Sequence, residues 1–169
     1  MSEKETIFSS NIGYDGVFSF KDFYKFCHDW LIEEVGMDRV VEEKYKEKIA
    51  GDKKDIEVKW KGTKDLSDYF RFEMKVSFTV RGLRKVEITN GSTKIETNKG
   101  DLKLKVDGIL IMDYKGKFET TPFNKFLRDI YQRWVITSRI EEFKEKIAGD
   151  CDEFLLQGKA YLDLEGKNS

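Results

Sequence analysis

The residues of this chain that could do chemistry are few and widely spaced. The single histidine, His28, directly follows Cys27, and the second cysteine, Cys151, lies far away in the sequence. Adjacent residues on a helix point about 100° apart, so Cys27 and His28 do not form a catalytic dyad by sequence alone. One histidine and two distant cysteines give no zinc-ligand spacing. We therefore expect two small core cysteines, and we predict no catalytic residue, metal site or cofactor.

Two carboxylates are candidates for contact with a ligand. Glu43 and Glu47 share strand parity with Tyr45, so an inward-facing strand over 40–49 would place both at the rim of an interior cavity. Four residues along a strand separate them by about 13 Å, which is too far for the paired carboxylates of glycoside cleavage. They could bind a polar group of a ligand instead. The alternative is an edge strand whose glutamates reach solvent.

Two segments interleave basic and aromatic residues as single-stranded nucleic-acid platforms do, Lys59-Trp60-Lys61 and the stretch from Tyr114 to Phe118. Strand alternation would place Trp60 on the face opposite its lysines. The chain balances 31 Lys and Arg against 32 Asp and Glu, and this net charge of -1 removes the basic excess of a general nucleic-acid binder. Nucleic acid is therefore not an expected partner.

The elements that must position these side chains begin with a helix from about Phe20 to Val35. Ser19 and Asp22 have the spacing of a capping box, and Gly36 stands where a helix ends. Apolar residues recur between these signals at the spacing of one helix face. This segment is the first clear helix of the chain.

After this helix the apolar period changes to that of strands. Turn signals stand at Asn90-Gly91 and at 98–100, and a turn region at 11–13 divides the first strand or strand pair. No helix interrupts the run to allow a parallel crossover. The pattern therefore predicts an antiparallel meander of six or seven strands.

The heptapeptide Lys-Glu-Lys-Ile-Ala-Gly-Asp occurs twice, at 46–52 and at 144–150. A duplication would extend the similarity further, so we interpret the repeat as a coincidence in a Lys/Glu-rich chain. A hairpin signal and a clear strand follow the first copy, which favours a strand over 40–49. The second copy lies on the helix predicted next, so the two copies should differ in structure.

The last third of the chain returns to the helical period. Thr121 can cap a helix whose first residue is Pro122, and apolar residues continue the pattern to Ala148. Gly149 should end this helix. A shorter final helix is then predicted from Asp150.

Length and composition complete the outline. A chain of 169 residues suits one domain, placed at 1–169 with frayed ends at 1–5 and 165–169. Charged residues make up 37%, against about 25% in an ordinary domain, which indicates a well-solvated surface. No apolar run approaches the roughly 20 residues that span a bilayer, and the start has no signal-peptide pattern. With the isolated cysteines, these features predict a cytoplasmic protein.

The predicted fold class is α+β, a curved antiparallel sheet packed on a long C-terminal helix. In this order of elements the chain resembles the helix-grip fold of the START-like superfamily, which includes lipid-transfer domains, polyketide cyclases and chaperone activators. The resemblance covers most of the chain and rests on element order, without a specific motif. It implies a hydrophobic small molecule or lipid held between the sheet and the long helix. The residues expected to bind that ligand are Trp60, Phe72, Met74, Leu104, Leu110, Met112, Tyr131, Trp134, Glu43 and Glu47.

The leading hypothesis is a non-enzymatic protein that binds such a ligand. The alternative is a scaffold or adaptor in which large side chains fill the interior and a protein partner docks on the surface. A cyclase-like enzyme would need polar groups inside the cavity, for which only Glu43, Glu47 and Tyr45 are candidates. The volume between the sheet and the long helix separates a carrier from a filled scaffold.

Overall fold

The computed structural model describes residues 3–115, 121–135 and 137–167, with the side chains of 90, 134, 135 and 167 left outside the description. The elements, in chain order, are β1 (Glu3–Val17), α1 (Phe20–Glu33), β2 (Arg39–Ala50), β3 (Lys53–Asp65), β4 (Phe70–Asn90), β5 (Thr93–Met112), α2 (Pro122–Ile130), a π-helical turn (Tyr131–Val135) and α3 (Thr137–Lys167).

The described strands form one curved antiparallel sheet in the order β1-β5-β4-β3-β2. This confirms the α+β class, the antiparallel meander and the long C-terminal helix. The predicted count of six or seven strands is wrong, because the described residues form five. The strand over 40–49 is confirmed as β2, which lies at one edge of the sheet.

One predicted turn lies inside a long strand instead, and a second long strand contains a bulge. The signal at 98–100 belongs to β5, where Lys99 and Gly100 pair with Val17 and Gly16 of β1. In β4 the register shifts between Arg81 and Arg84, and such a bulge bends a strand without ending it.

The remaining turn signals divide in the same way. The region at 11–13 also pairs continuously with β5, so β1 is a single strand. The turn predicted at Asn90-Gly91 lies at Gly91-Ser92, since Asn90 pairs with Thr93 across it and Gly91 has φ 65°. In an isolated sequence, a glycine that bends a strand and a glycine that reverses it give the same signal.

The ends of the helices test the capping predictions. Ser19 Oγ accepts a hydrogen bond from the Asp22 amide at 3.3 Å, which confirms the start of α1. Thr121 Oγ1 accepts from the Asn124 amide at 3.1 Å, which confirms that α2 begins at Pro122.

The predicted end at Gly149 is wrong, because α3 continues through it to Lys167. Gly149 is exposed, and a Cβ added there would meet nothing within 4 Å. A glycine inside an exposed helix costs about 1 kcal/mol relative to alanine, which the packing on both sides of it can offset. The break in the helical third lies instead at the π-helical turn between α2 and α3.

Where the structure describes the two ends of the chain, they belong to regular elements. Residues 3–5 belong to β1 and pair with Met112, Ile111 and Leu110 of β5. At the other end, α3 includes residues 165–167, while 168 and 169 lie outside the described residues.

Two helices cover the concave face of the sheet. α3 lies over β1 and β5, and a Cβ added at Gly108 of β5 would stand 2.7 Å from Cys151 Sγ and 2.9 Å from Ile147 Cγ2. α1 lies over β3 and β4, where the Phe23 and Phe78 ring centroids are 6.1 Å apart. This close approach leaves a densely packed core between the helices and the sheet.

The core contains both cysteines as predicted. Cys27 and Cys151 are fully buried free thiols, and burial raises the pKa of each. A buried thiol with a raised pKa stays protonated and is a poor nucleophile. Among the helices of the described residues, none is both long and apolar enough to span a membrane.

Candidate functional site

The residues predicted to bind an apolar ligand beneath α3 are core residues. Their side chains lie on the concave face, each 7% exposed or less. They are Trp60, Phe72, Met74, Leu104, Leu110 and Met112. A ligand at their positions would have to displace part of this core.

Tyr131 lies in the π-helical turn and packs, half-buried, against the edge of the core. Its ring packs edge-to-face on Tyr69, with centroids 5.4 Å apart, and Gln132 Nε2 donates a hydrogen bond to Tyr69 Oη at 2.5 Å. The side chain of Trp134 lies outside the described residues. Tyr131 therefore serves to attach the end of α2 to the body of the protein.

The two predicted carboxylates do not share a face. Glu42 pairs with Trp60, and the register then shifts before Lys44, so Glu43 occupies a β-bulge. Beyond the bulge Glu47 pairs with Ile56, a buried residue of the concave face.

Glu43 lies on the convex face instead, where it lines a shallow depression with Lys59 and Lys75. The prediction that Glu43 and Glu47 share a face is therefore wrong, because a bulge inserts one residue into the alternation. Almost every residue of β2 is exposed, as the edge-strand alternative anticipated.

A groove lies on the concave face between α1 and the uncovered edge strand β2. Its volume is about 420 Å³, and we call it the tyrosine groove. Its lining residues are Phe20, Lys21, Tyr24, Glu42, Tyr45, Lys54, Ile56, Leu83 and Asn98.

Tyr24 forms the α1 wall of the tyrosine groove. Its hydroxyl donates a hydrogen bond to Glu42 Oε1 at 2.6 Å, and its ring packs edge-to-face on Trp60 with centroids 4.9 Å apart. Burial, and then the Glu42 carboxylate, raise the pKa of Tyr24. The core thus fixes one end of this phenol while the other end joins the helix to β2.

Tyr45 forms the β2 wall. Its hydroxyl donates to Glu47 Oε1 at 2.7 Å, and Lys54 Nζ lies 3.5 Å from the same oxygen. Burial and the Glu47 carboxylate raise the pKa of Tyr45 to about 12. The hydrogen bond from Tyr45, followed by the charge of Lys54, lowers the pKa of Glu47.

The closed end of the groove is held by backbone contacts of α1. The Phe20 amide donates to Asn98 Oδ1 at 3.3 Å, and the Phe18 amide donates to the Asn98 carbonyl at 3.0 Å. Asn98 therefore attaches the beginning of α1 to β5. Phe20 is fixed in this way on the floor of the groove, beside Ile56 and Leu83.

This arrangement suits binding better than proton transfer. Phenols with raised pKa values stay protonated at neutral pH, so Tyr24 and Tyr45 act as donors to their carboxylates. The floor is apolar, the walls are aromatic, and the carboxylate oxygens keep further lone pairs for a ligand. Such a mixture of apolar area and a few polar groups is typical of small-molecule sites.

The histidine and cysteines take no part in the groove. The His28 ring packs edge-to-face on Trp60 with centroids 5.6 Å apart, whereas Cys27 is buried in the core. Among the described residues, no three His, Cys, Asp or Glu side chains gather as a metal-binding group.

Sequence reasoning missed Tyr24, Glu42 and Lys54. Phe20 and Tyr24 stand four residues apart on α1, and this spacing indicates a second apolar stripe beside the one that enters the core. Glu42 was hidden because only the bulge brings it to the concave face. Lys54 follows a hairpin turn, where strand parity is hard to assign.

Comparison with known proteins adds no identification. No protein-family model matches the chain, and no curated protein matches it. The resemblance to the START-like superfamily stays a prediction from the order of elements.

Proposed function

We propose that this protein is a non-enzymatic binding protein that holds a small amphipathic molecule in the tyrosine groove. The observation that carries the proposal is a pair of tyrosine–carboxylate contacts above an apolar floor, Tyr24–Glu42 between α1 and β2 and Tyr45–Glu47 within β2. The proposal keeps the hydrophobic ligand or lipid expected from the sequence and moves its site from beneath α3 to beside α1.

The size of the groove supports a ligand of modest size. Its volume of about 420 Å³ lies toward the lower end of the roughly 300–1,000 Å³ found for small-molecule sites. A longer apolar tail would extend along β2 over the exposed Ile49.

The groove favours a ligand with a neutral hydrogen-bond-donating head, because Lys21 and Lys54 outnumber Glu42 among the charged lining residues. Glu47 is already paired with Lys54, whereas Glu42 forms no ion pair among the described residues and accepts its hydrogen bond from the neutral Tyr24. Glu42 is therefore the carboxylate to which a donor head would bind, with the body of the ligand against the Tyr24 and Tyr45 rings.

Native mass spectrometry of the purified protein tests this proposal directly. We expect a co-purified molecule of small mass, lost on organic extraction, and binding of the neutral probe N-phenyl-1-naphthylamine to the extracted protein. Glu42→Gln should weaken retention of the co-purified molecule about tenfold, the effect of one charged hydrogen bond.

Glu43→Gln is the matched control, because it removes the neighbouring carboxylate from the opposite face of the same strand. Equal effects of the two substitutions would refute the proposed site. A protein that retains no small molecule and binds no probe would refute the function itself.

The burial of the core residues favours a second candidate, a scaffold or adaptor with a filled interior. A pull-down that recovers one protein partner in stoichiometric amount, from a chain that carries no small molecule, would support it. In either role we place the protein in the cytoplasm, as its two free buried cysteines predict.

A further inference from the structure

α2 presents its apolar side to solvent and is attached to the protein through Arg128 of its polar side. Phe123 and Phe126 are 66% and 58% exposed, and Leu127 and Ile130 are each 38% exposed. On a helical projection these four residues fall within about 100° of one another. They form one continuous apolar stripe, which we call the α2 stripe.

Arg128 lies on the opposite side of α2 and attaches the helix to the body of the protein. Its side chain is only 11% exposed, with Nη2 at 3.4 Å from Glu3 Oε1 and Nη1 at 3.7 Å from Asp113 Oδ2. Asp113 is itself buried at the end of β5. An amphipathic helix usually turns its apolar side inward, and here these ion pairs hold it the other way.

The charges around the α2 stripe indicate what covers it. From Thr121 to Arg139 the chain has four basic residues and one acidic residue, a local net charge of +3 in a chain of net charge -1. Arg128 is occupied by its ion pairs, but Lys125, Arg133 and Arg139 are exposed. Lys125 lies on the polar side of α2 together with Arg128, and a helix with aromatic and aliphatic residues on one side and basic residues on the other is typical of an anionic membrane interface.

A second copy of the chain fits the stripe less well. Four partly exposed side chains would bury roughly 400 Å² per copy, so a symmetric pair would bury about 800 Å², below the roughly 1,200 Å² of a stable interface. A membrane surface sets no such minimum area.

We infer that α2 is a membrane-docking element, with the α2 stripe inserted at the surface of a bilayer that contains anionic lipid. The ion pairs of Arg128 set the orientation of the helix, and Lys125, Arg133 and Arg139 contact lipid phosphates. This docking is peripheral and reversible, since a nine-residue helix can enter only the headgroup region. It does not depend on the tyrosine groove.

Vesicle co-sedimentation tests the inference. The full chain should bind vesicles made of phosphatidylglycerol and phosphatidylcholine in equal parts, and binding should fall sharply for phosphatidylcholine alone or in about 0.5 M salt. Phe126→Ser should weaken binding about tenfold, in line with the apolar area that the ring would bury. The control is Leu164→Ser, which removes an exposed apolar side chain of α3 that is 61% exposed and should leave binding unchanged.

A second variant separates the charge effect from the apolar effect. Lys125→Glu should reduce binding to the anionic vesicles and leave the unfolding midpoint in urea unchanged, because Lys125 is exposed.

Absence of wild-type binding to these vesicles, or equal binding by Phe126→Ser, would overturn the inference. So would a concentration-dependent dimer in sedimentation velocity that Phe126→Ser abolishes, because the stripe would then belong to a second copy. Glu42→Gln should bind vesicles normally, which keeps this test independent of the groove.

Discussion

The two sides of the concave face differ in burial, although their strands share the same alternation of inward and outward residues. Under α3 and α1, the inward residues of β3, β4 and β5 are buried in a dense core. Across the face, the inward residues of β2 remain exposed, with Tyr45 at 49%. Strands lie about 4.8 Å apart, and a helix is about 10 Å wide, so two helices cover about four strands. The fifth strand is left as the wall of an open groove.

This difference in burial indicates which part of the fold can bind a ligand. Complete cover gives stability and leaves no room for a ligand, while the uncovered strand gives a groove at a small cost in buried area. The β2 edge is protected from pairing with another chain by its bulge and its alternating charges. The covered strands therefore provide stability, and the uncovered strand β2 provides the proposed binding groove.

The largest expected effect contrasts one residue from each region. Phe78→Ala removes a fully buried ring that packs on Phe23 and Trp60, and it should lower the free energy of unfolding by about 4 kcal/mol. Tyr45→Ala should lower it by less than about 1 kcal/mol, because that side chain is half exposed. Urea unfolding monitored by circular dichroism measures both. Similar losses for the two variants would contradict the assignment of stability to the covered strands.

A smaller effect concerns the closeness of α3 to the sheet. Gly108→Ala would bring a Cβ to 2.7 Å from Cys151 Sγ and should cost about 1–3 kcal/mol of stability by overpacking. Removing the sulfur with Cys151→Ala should offset part of that loss, which a double-mutant cycle in urea would show as a coupling energy.

Gly149→Ala is the control for the same helix. A Cβ there meets nothing within 4 Å, so the substitution should stabilise α3 by up to about 1 kcal/mol. Equal outcomes at the two glycines would show that α3 does not approach the sheet as described.

The sequence predicted local features well because local chemistry determines them. Ser19 and Thr121 cap their helices as their spacing indicated, and the chain reverses at Gly91-Ser92, one residue beyond the predicted Asn90-Gly91. The two copies of the heptapeptide mark the limit of such reasoning. At 46–52 it forms the end of β2 and a turn with Gly51 at φ 66°, while at 144–150 it is helical throughout. Seven identical residues adopt two structures because tertiary packing overrides their own preference.

The candidate site was harder to predict, because it depends on contacts between distant residues. The groove brings Tyr24 of α1 to Glu42 of β2, and the bulge at Glu43 selects which glutamate faces inward. Strand alternation gave the correct face for Glu47 and the wrong face for Glu43, because a β-bulge has no clear signature in the sequence. The filled core beneath α3 depends on the close approach at Gly108, which no residue pattern reveals.

The smallest expected effect tests the polar wall of the open groove by pH. The hydrogen bond from Tyr45 and the charge of Lys54 lower the pKa of Glu47, so the folded state binds a proton at this carboxylate less readily than the unfolded state does. Its contribution to stability is therefore present above the ordinary glutamate pKa and is lost as the pH falls through the lowered value. Wild type should exceed Glu47→Gln in stability near neutral pH by less than about 1 kcal/mol, since the pair is partly exposed.

That difference should shrink toward acid, as Glu47 takes up a proton, and thermal unfolding between about pH 7 and pH 3 would measure the decrease. The Glu43→Gln variant provides the baseline, because it removes one carboxylate of the same strand from the convex face. A difference that persists at the acidic end would mean that Glu47 acts through packing rather than through its charge. The β2 wall would then be stabilised by apolar contacts, as the covered side of the sheet is. The two regions would differ only in how deeply their side chains are buried.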